Sequence, residues 1–195
     1  DRQGRELMTL YGIPVVETRS APSVYAARAA AEAIGYPVAL KLDSPDISHK
    51  SDVRGVVLNI ESADELRASA VAMLRRAHEL RPEARLEGFV VQPMVRRPNA
   101  FELLIGMAND PQFGPVIVFG QGGTAVEIVG DRAVALPPLN TALARELVSR
   151  TRIARLLAGY RDRPAADLDA VCRVLVAVSQ MVIDLPELAE LDINP

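Results

Sequence analysis

Lysine is almost missing from this chain of 195 residues: Lys41 and Lys50 stand against 20 arginines. Histidine is equally scarce, with only His49 and His78, tryptophan is absent, and aromatic residues make up 4%. Acids outnumber bases 25 to 22, for a formal net charge of −3, and the pI is near 5.5. There is no basic excess to meet phosphates and little to stack on bases, which excludes a nucleic-acid surface. One cysteine, Cys172, excludes an internal disulfide and a cysteine metal cluster. It falls in an apolar helical pattern and reads as a buried structural thiol. No apolar run approaches the ~20 residues that cross a bilayer, and Asp1 to Glu6 is too charged for a signal peptide. The expectation is a cytoplasmic protein with neither membrane nor nucleic acid as partner.

What is present is ordinary globular composition, with 49% hydrophobic and 24% charged residues. Leu7, Leu10 and Tyr11 suggest a short opening helix. Ser23 caps an alanine-rich helix to Ile34, stopped by Gly35. Pro37 to Leu40 reads as a buried strand with Lys41 at its end, Asp43 to Asp52 as a polar loop, and Val56 to Ile60 as a strand. Ser62 and Glu65 form a capping box for a helix with Leu66, Ala70, Met73, Leu74 and Ala77 on one face. Gly88 to Met94 is a further strand. Phe101, Leu103, Ile105 and Met107 alternate with Glu102, Leu104 and Gly106 as in a half-buried strand. Strands follow at Val116 to Phe119 and Ala125 to Val129, then helices at Thr141 to Ala158 and Ala166 to Asp184, and a last strand at Leu188 to Ile193. The order predicts mixed α/β (α+β) structure in two lobes with a hinge near Gln92 to Pro98. Neither GxGxxG after a strand nor a Walker loop occurs, so both common nucleotide loops are excluded.

Both lysines and His49 share one ten-residue window, 41 to 50. A lysine in a chain that otherwise uses arginine marks a place where a compact point charge suits a bound phosphate; a surface lysine is the ordinary alternative. The arginine excess itself reads as background, and the pairs Arg75-Arg76 and Arg96-Arg97, set among acids, as solvated surface. His49 lies among Asp46, Lys50 and Asp52, where a neutral ring nitrogen can act as nucleophile or base, although a lone loop histidine is usually just solvated. His78 reads as a surface residue. Asp192 and Asn194, two apart on a strand, share a side and could hold Mg²⁺ beside a nucleotide; polar residues capping a strand end explain them as well. Gln92-Pro-Met-Val95 could offer backbone groups to an adenine edge, and Glu102 could meet a ribose or metal, or solvent. Gly120-Gln-Gly-Gly123 is either an anion-binding turn or a tight loop.

Taken together, Tyr11-Gly-Ile-Pro14, Gly35-Tyr-Pro-Val-Ala-Leu-Lys41, Ser44-Pro-Asp-Ile-Ser-His-Lys50-Ser-Asp52, Val91-Gln-Pro-Met94, Glu102-Leu-Leu-Ile-Gly106, Asp110-Pro-Gln-Phe-Gly-Pro115, Phe119-Gly-Gln-Gly-Gly123 and Leu191-Asp-Ile-Asn-Pro195 resemble the ATP-grasp domain of ADP-forming acyl-CoA (acetyl-CoA) synthetases. The resemblance runs in order along nearly the whole chain. It implies a two-lobed ATP-grasp fold with the nucleotide cleft between the lobes. Lobe one would cover about residues 14–96 and lobe two about 97–195, as one domain excised from a larger protein. It implies ATP/ADP and Mg²⁺ as ligands. Lys41 would contact ATP phosphates, Gln92, Met94 and Val95 would line the adenine hinge, and Glu102 would reach the nucleotide. His49 would carry a phosphoryl group between acyl phosphate and ADP, Asn194 would be a Mg²⁺ ligand, and Asp192 the catalytic acidic residue before it. A CoA-binding domain or subunit is the implied partner, and without it the isolated chain is expected to be inactive. The family places a second metal-binding aspartate on a strand after Pro195. Arg54-Gly55-Val56 stands where the ligases usually show Gly-Gly-Val. With Ala135-Leu-Pro-Pro-Leu-Asn140 and Leu157-Ala-Gly-Tyr-Arg161, it is similar to the synthetase region fused to GNAT-type protein lysine acetyltransferases, which implies the alternative of a non-catalytic sensing module.

Overall fold

The computed structural model describes residues 2–47, 50–98, 100–123 and 130–193. They fall into two compact units, one of Val16–Arg96 and one of Asp1–Val15 with Arg97–Pro195. Helix α1 (Arg2–Leu10) opens the chain and belongs to the latter unit.

In the unit Val16–Arg96, strands β1 (Arg19–Ala21), β2 (Val38–Asp43), β3 (Val56–Ile60) and β4 (Gly88–Pro93) form an antiparallel sheet in the order β1-β4-β2-β3. Helices α2 (Val24–Ile34) and α3 (Ala63–Leu80) cover one face. The Ser23 hydroxyl accepts from the Ala26 amide at 3.1 Å, supplying a partner that the first turn of α2 lacks. Ser62 does the same for Glu65 at 3.3 Å, while the Glu65 carboxylate accepts from the Glu61 amide at 2.9 Å, one residue earlier than a standard capping box returns. Leu66, Ala70, Met73 and Ala77, spaced as one helix face, are all fully buried. They meet Val38, Leu40, Leu42, Phe89 and Val91, the alternate residues of β2 and β4. Lys41 sits inside β2, not at its end as the sequence suggests, because β2 continues to Asp43. The pairing of β3 slips by one residue between Val38 and Leu40, and Asn59 takes the left-handed conformation there, with φ 58°. Its side-chain oxygen accepts from Arg96 Nη2 at 2.8 Å.

In the other unit, β5 (Leu103–Asp110), β6 (Gly114–Gln121), β7 (Arg132–Ala135) and β8 (Leu191–Ile193) form a second antiparallel sheet in the order β7-β6-β5-β8. Helices α4 (Thr141–Ser149), α5 (Ile153–Leu157) and α6 (Leu168–Asp184) pack with Ile105, Met107, Ile117 and Phe119 around a separate core. Cys172 is fully buried there, and burial pushes its thiol pKa up, as expected of a structural cysteine. Tyr11, just past α1, donates its hydroxyl to Asp184 at 3.0 Å. The sequence predicts one helix from Thr141 to Ala158; the structure breaks it at Arg150 to Arg152. The cause is Asp131, whose buried carboxylate accepts from the Arg152 amide at 2.8 Å and the Ile153 amide at 2.7 Å, so that α5 starts afresh on a cap supplied by the residue just before β7. The strand expected at Ala125 to Val129 lies outside the described residues. Among the described residues no helix is long and apolar enough to cross a membrane.

Removing the Asp131 carboxylate leaves those two amides without their acceptor. Asp131→Ala is expected to lower unfolding free energy by about 1–3 kcal/mol, read as a reduced denaturant midpoint with an unchanged m-value. A midpoint equal to wild type would show that the cap does not hold the break.

Candidate functional site

Each sheet packs its helices on one face only, and the candidate residues sit on the other. In the first sheet, residues directly opposite share a face. Lys41 lies opposite Val56 on β3 and Val90 on β4, and Gln92 opposite Ala39. Lys41 and Ala39, two apart on β2, share that face as well. The helix-free face thus carries an apolar floor of Ala39, Val56, Leu58 and Val90, with Lys41 and Gln92 as its polar members. Ala39 and Val90 are buried, Lys41 is half-buried, and Leu58 is 54% exposed. Gln92 donates its side-chain amide to Thr18 Oγ1 at 2.9 Å, which fixes the end of β4. Just beyond, the Met94 amide donates to the Pro37 carbonyl at 3.0 Å, and Val95 is 57% exposed.

The loop that follows β2 is anchored on both sides of His49, although His49 itself lies outside the described residues. On the near side the Asp46 carboxylate accepts from Arg85 three times: from its amide at 2.8 Å, from Nε at 3.0 Å and from Nη2 at 3.0 Å. These bonds hold the Asp46 pKa down at about 2, the side-chain bond from Arg85 being the largest cause and the Arg85 amide the next. Ile47 is buried in the core. On the far side Val53 is buried too, after a single 3₁₀ turn (Lys50–Val53), and the Gly55 amide donates to the Lys50 carbonyl at 2.6 Å. Arg54, between them, is exposed and left-handed, with φ 48°. A side chain therefore occupies a backbone conformation that suits the glycine expected of the ligases.

On the second sheet the helix-free face holds the even-numbered residues of β5. Leu104, Gly120 and Arg132 form one row across β5, β6 and β7. Gly106, Val118 and Val134 form the next, extended on the other side by Asp192 of β8. Strand β8 runs so close to β5 that a Cβ on Gly106 would lie 2.5 Å from the Leu191 carbonyl oxygen, so only glycine fits beside Asp192. Partial loss of hydration raises the Asp192 pKa, and the neighbouring Glu190 charge adds to it. Asn194 lies outside the described residues. Glu102 precedes β5 in the same alternation. It is exposed, its carbonyl accepts from the Gly122 amide at 2.8 Å, and its carboxylate lies over Gly123, where a Cβ would come within 2.1 Å of Oε2. Gly123 has φ 89°. The glycine turn thus serves to seat the Glu102 carboxylate.

The profile of the ATP-grasp domain family matches residues 1–195, the whole chain. The chain belongs to the ATP-grasp family. Its relatives place this ATP-grasp domain among those of the ADP-forming acyl-CoA synthetases. It is 42% identical over 193 residues to acetate–CoA ligase [ADP-forming] I of Archaeoglobus fulgidus, covering 99% of this chain and 28% of that protein. It is 37% identical to the β subunit of acetate–CoA ligase [ADP-forming] I of Pyrococcus furiosus, covering 99% of this chain and 82% of the subunit. Acetyl-coenzyme A synthetase 1 of Candidatus Korarchaeum cryptofilum, solved with coenzyme A and Ca-AMPCP, superposes with a TM-score of 0.92 at 35% identity, over 100% of this chain and 84% of that one. Another structure of that protein, with coenzyme A and Mg-AMPPCP, has its phosphohistidine segment pointing towards the nucleotide binding site; it gives a TM-score of 0.83 at 32% identity, over 100% of this chain and 83% of that one. The fused acetyltransferase suggested by the residues around Arg54 finds no support among these relatives.

Sequence reasoning singled out Lys41, Gln92 and Glu102 as candidates but missed the anchoring by Asp46. Its partner is 39 residues away, and nothing local to Ser-Pro-Asp46 announces it. The apolar floor was missed for a similar reason, since only strand register joins Ala39, Val56 and Val90.

The Asp46–Arg85 contact is expected to set part of the domain's acid limb. Its pKa falls from 3.8 to about 2 on folding, so its stabilisation is complete above the higher value and disappears as pH drops through the lower. Asp46→Asn should be less stable than wild type at neutral pH, the gap closing between ~pH 4 and ~pH 2; a gap independent of pH would rule out the carboxylate as its source. For Arg54→Gly, relief of ~1–2 kcal/mol of left-handed strain outweighs ~0.5–1 kcal/mol of added chain entropy. A modest rise in thermal midpoint is expected, and a fall would show that the Arg54 side chain makes a compensating contact.

Proposed function

We propose that this ATP-grasp domain binds ATP or ADP with Mg²⁺ as part of an ADP-forming acyl-CoA synthetase and passes a phosphoryl group through His49. The observation that carries the reading is the helix-free face of the first sheet. An apolar floor beside one ammonium group suits a nucleotide, whose base is flat and apolar on its faces and whose phosphates are anionic. Lys41 meets the phosphates there, and the strand end at Gln92, Met94 and Val95 offers backbone groups to the adenine edge. Glu102, whose carboxylate lies over Gly123, would meet the ribose. Asp192 and Asn194 would hold Mg²⁺, since a carboxylate and an amide oxygen are the hard donors it takes, few in number because phosphates and waters complete its shell. The bound ion supplies neutralisation of phosphate charge.

The transfer runs in two in-line steps. A neutral imidazole nitrogen of His49 attacks the phosphorus of an acyl phosphate, forming a P–N bond as the bond to the carboxylate oxygen breaks. A terminal phosphate oxygen of ADP then attacks the same phosphorus, the P–N bond breaks, and ATP leaves with His49 restored. Histidine suits the task because its neutral form is abundant near pH 7. The phosphohistidine segment named in the Korarchaeum synthetase supports this role for the loop that Asp46 and Val53 anchor. That this domain covers only 28% of the Archaeoglobus ligase supports a CoA-binding domain or subunit as partner.

In the full-length protein, ATP labelled in its γ-phosphate and Mg²⁺ should leave an acid-labile, base-stable phosphate on the chain that is lost in His49→Ala. Lys41→Ala should weaken ATP binding by at least ~1.5 kcal/mol, the value of one hydrogen bond to a charged group. Absence of label on the wild type would remove the phosphoryl role.

A further inference from the structure

Between α5 and α6 the chain makes a tight hairpin, Tyr160-Arg161-Asp162-Arg163, for which the nucleotide reading has no use. The Tyr160 amide donates to the Arg163 carbonyl at 3.2 Å and the Arg163 amide to the Tyr160 carbonyl at 3.1 Å. Residues directly opposed in an antiparallel pair point to one side, so the Tyr160 ring and the Arg163 side chain leave the hairpin together. Arg161 joins them, its guanidinium carbon lying 5.2 Å from the centre of the Tyr160 ring; that of Arg163 lies 5.5 Å from the centre of the Phe101 ring. Two guanidiniums are thus gathered on one side of a single turn, and among the described residues these are the arginines that stack on aromatic rings.

The hairpin is closed firmly. Gly159 before it, with φ 95°, passes so near the returning chain that a Cβ would lie 3.2 Å from the Ala165 amide nitrogen. The Ala166 amide donates to the Leu157 carbonyl at 2.9 Å. Arg161 itself is held left-handed, with φ 52°, a conformation that strains any side chain and persists where a site over-determines it. Stacking covers the face of each guanidinium and leaves its N–H edge open. Neither edge meets a carboxylate among the described residues, the intervening Asp162 included. Like charges gathered on one side of a rigid turn repel, and an anion between them removes that repulsion. A phosphate group carries about −1.5 to −2 charges near pH 7 and offers three acceptor oxygens, which suits two forks, whereas one fork already satisfies a carboxylate.

We propose that the Tyr160–Arg163 hairpin binds a phosphate group, taken between the Arg161 and Arg163 guanidiniums, with Tyr160 and Phe101 as the platforms that aim them. Inorganic phosphate, nucleotides and coenzyme A all carry such a group. All four residues belong to the unit of Asp1–Val15 with Arg97–Pro195, and the site is complete without Lys41.

Fluorine NMR of the full-length protein carrying fluorotyrosine in place of Tyr160 tests it. Phosphate added at fixed ionic strength should move the fluorine signal to saturation with a Kd on the order of 1 mM, and chloride or acetate should leave it in place. Arg163→Gln should raise that Kd about tenfold or more. Arg161→Gly, which suits the left-handed backbone, should do the same without lowering the thermal midpoint. Lys41→Ala should leave the phosphate response as it is. ADP and coenzyme A, titrated into the Lys41→Ala protein, identify the source: a Kd about tenfold below that of phosphate assigns the site to that ester, and equal or weaker binding assigns it to inorganic phosphate. A shift of the same size with chloride or acetate overturns the proposal. So does a Kd within about twofold of wild type in both Arg161→Gly and Arg163→Gln. Loss of the response in Lys41→Ala would assign the signal to the nucleotide face and overturn it as well. The nucleotide reading stands or falls separately, on ATP binding and the labelling of His49.

Discussion

A β-strand presents its side chains alternately to two sides, and in this chain each sheet gives one side to helices and keeps the other bare. That single constraint arranges everything else. Val38, Leu40 and Leu42 must face α2 and α3 to be buried, so Ala39 and Lys41 must face the other way. Likewise Ile105 and Met107 face the helical core, which turns Leu104 and Gly106 outward and brings Asp192 beside Gly106. The site residues are therefore held by the burial of their neighbours. A one-residue slip of β2 would put Lys41 into the core and Leu40 onto the open face, which the apolar core forbids at a cost of several kcal/mol.

How much of this could be read in the sequence follows from how local each determinant is. Ser23 and Ser62 cap helices through amides three residues on, and both helix starts are visible in the letters. The alternation from Phe101 to Met107 is equally local, and the buried face it predicts is the one observed. Strands β1 and β7 show nothing comparable. Arg-Ser-Ala and Arg-Ala-Val-Ala carry little strand preference and exist because β4 and β6 offer them unpaired edges. The break after Ser149 is invisible for the same reason, since it depends on Asp131, a carboxylate 21 and 22 residues away from the amides it binds. The site divides along this line. Lys41, Gln92 and Glu102 stood out through local motifs, whereas the floor around Lys41 and Gln92 and the anchoring of the loop needed register and tertiary contact.

The scarcity of lysine takes on a more exact meaning once the two cations are compared in place. Lys50 contributes through its backbone carbonyl, which accepts the Gly55 amide; its position in the conspicuous window says little about its charge. Lys41 is the member of the pair on the open face, a point charge on a flexible stem emerging from a buried strand. Arginine, in turn, is not mere background. At position 85 it offers Asp46 its amide, Nε and Nη2 together, a side-on arrangement that an ammonium group cannot reproduce. That fork fixes the foot of the loop, with Ile47 buried in the core immediately after it. The chain thus uses arginine where it needs a rigid, bidentate hold, and keeps lysine, a compact charge on a flexible stem, for the open face. The two meet within a few residues, Lys41 on the open face of β2 and the Asp46–Arg85 fork at the foot of the loop that follows it.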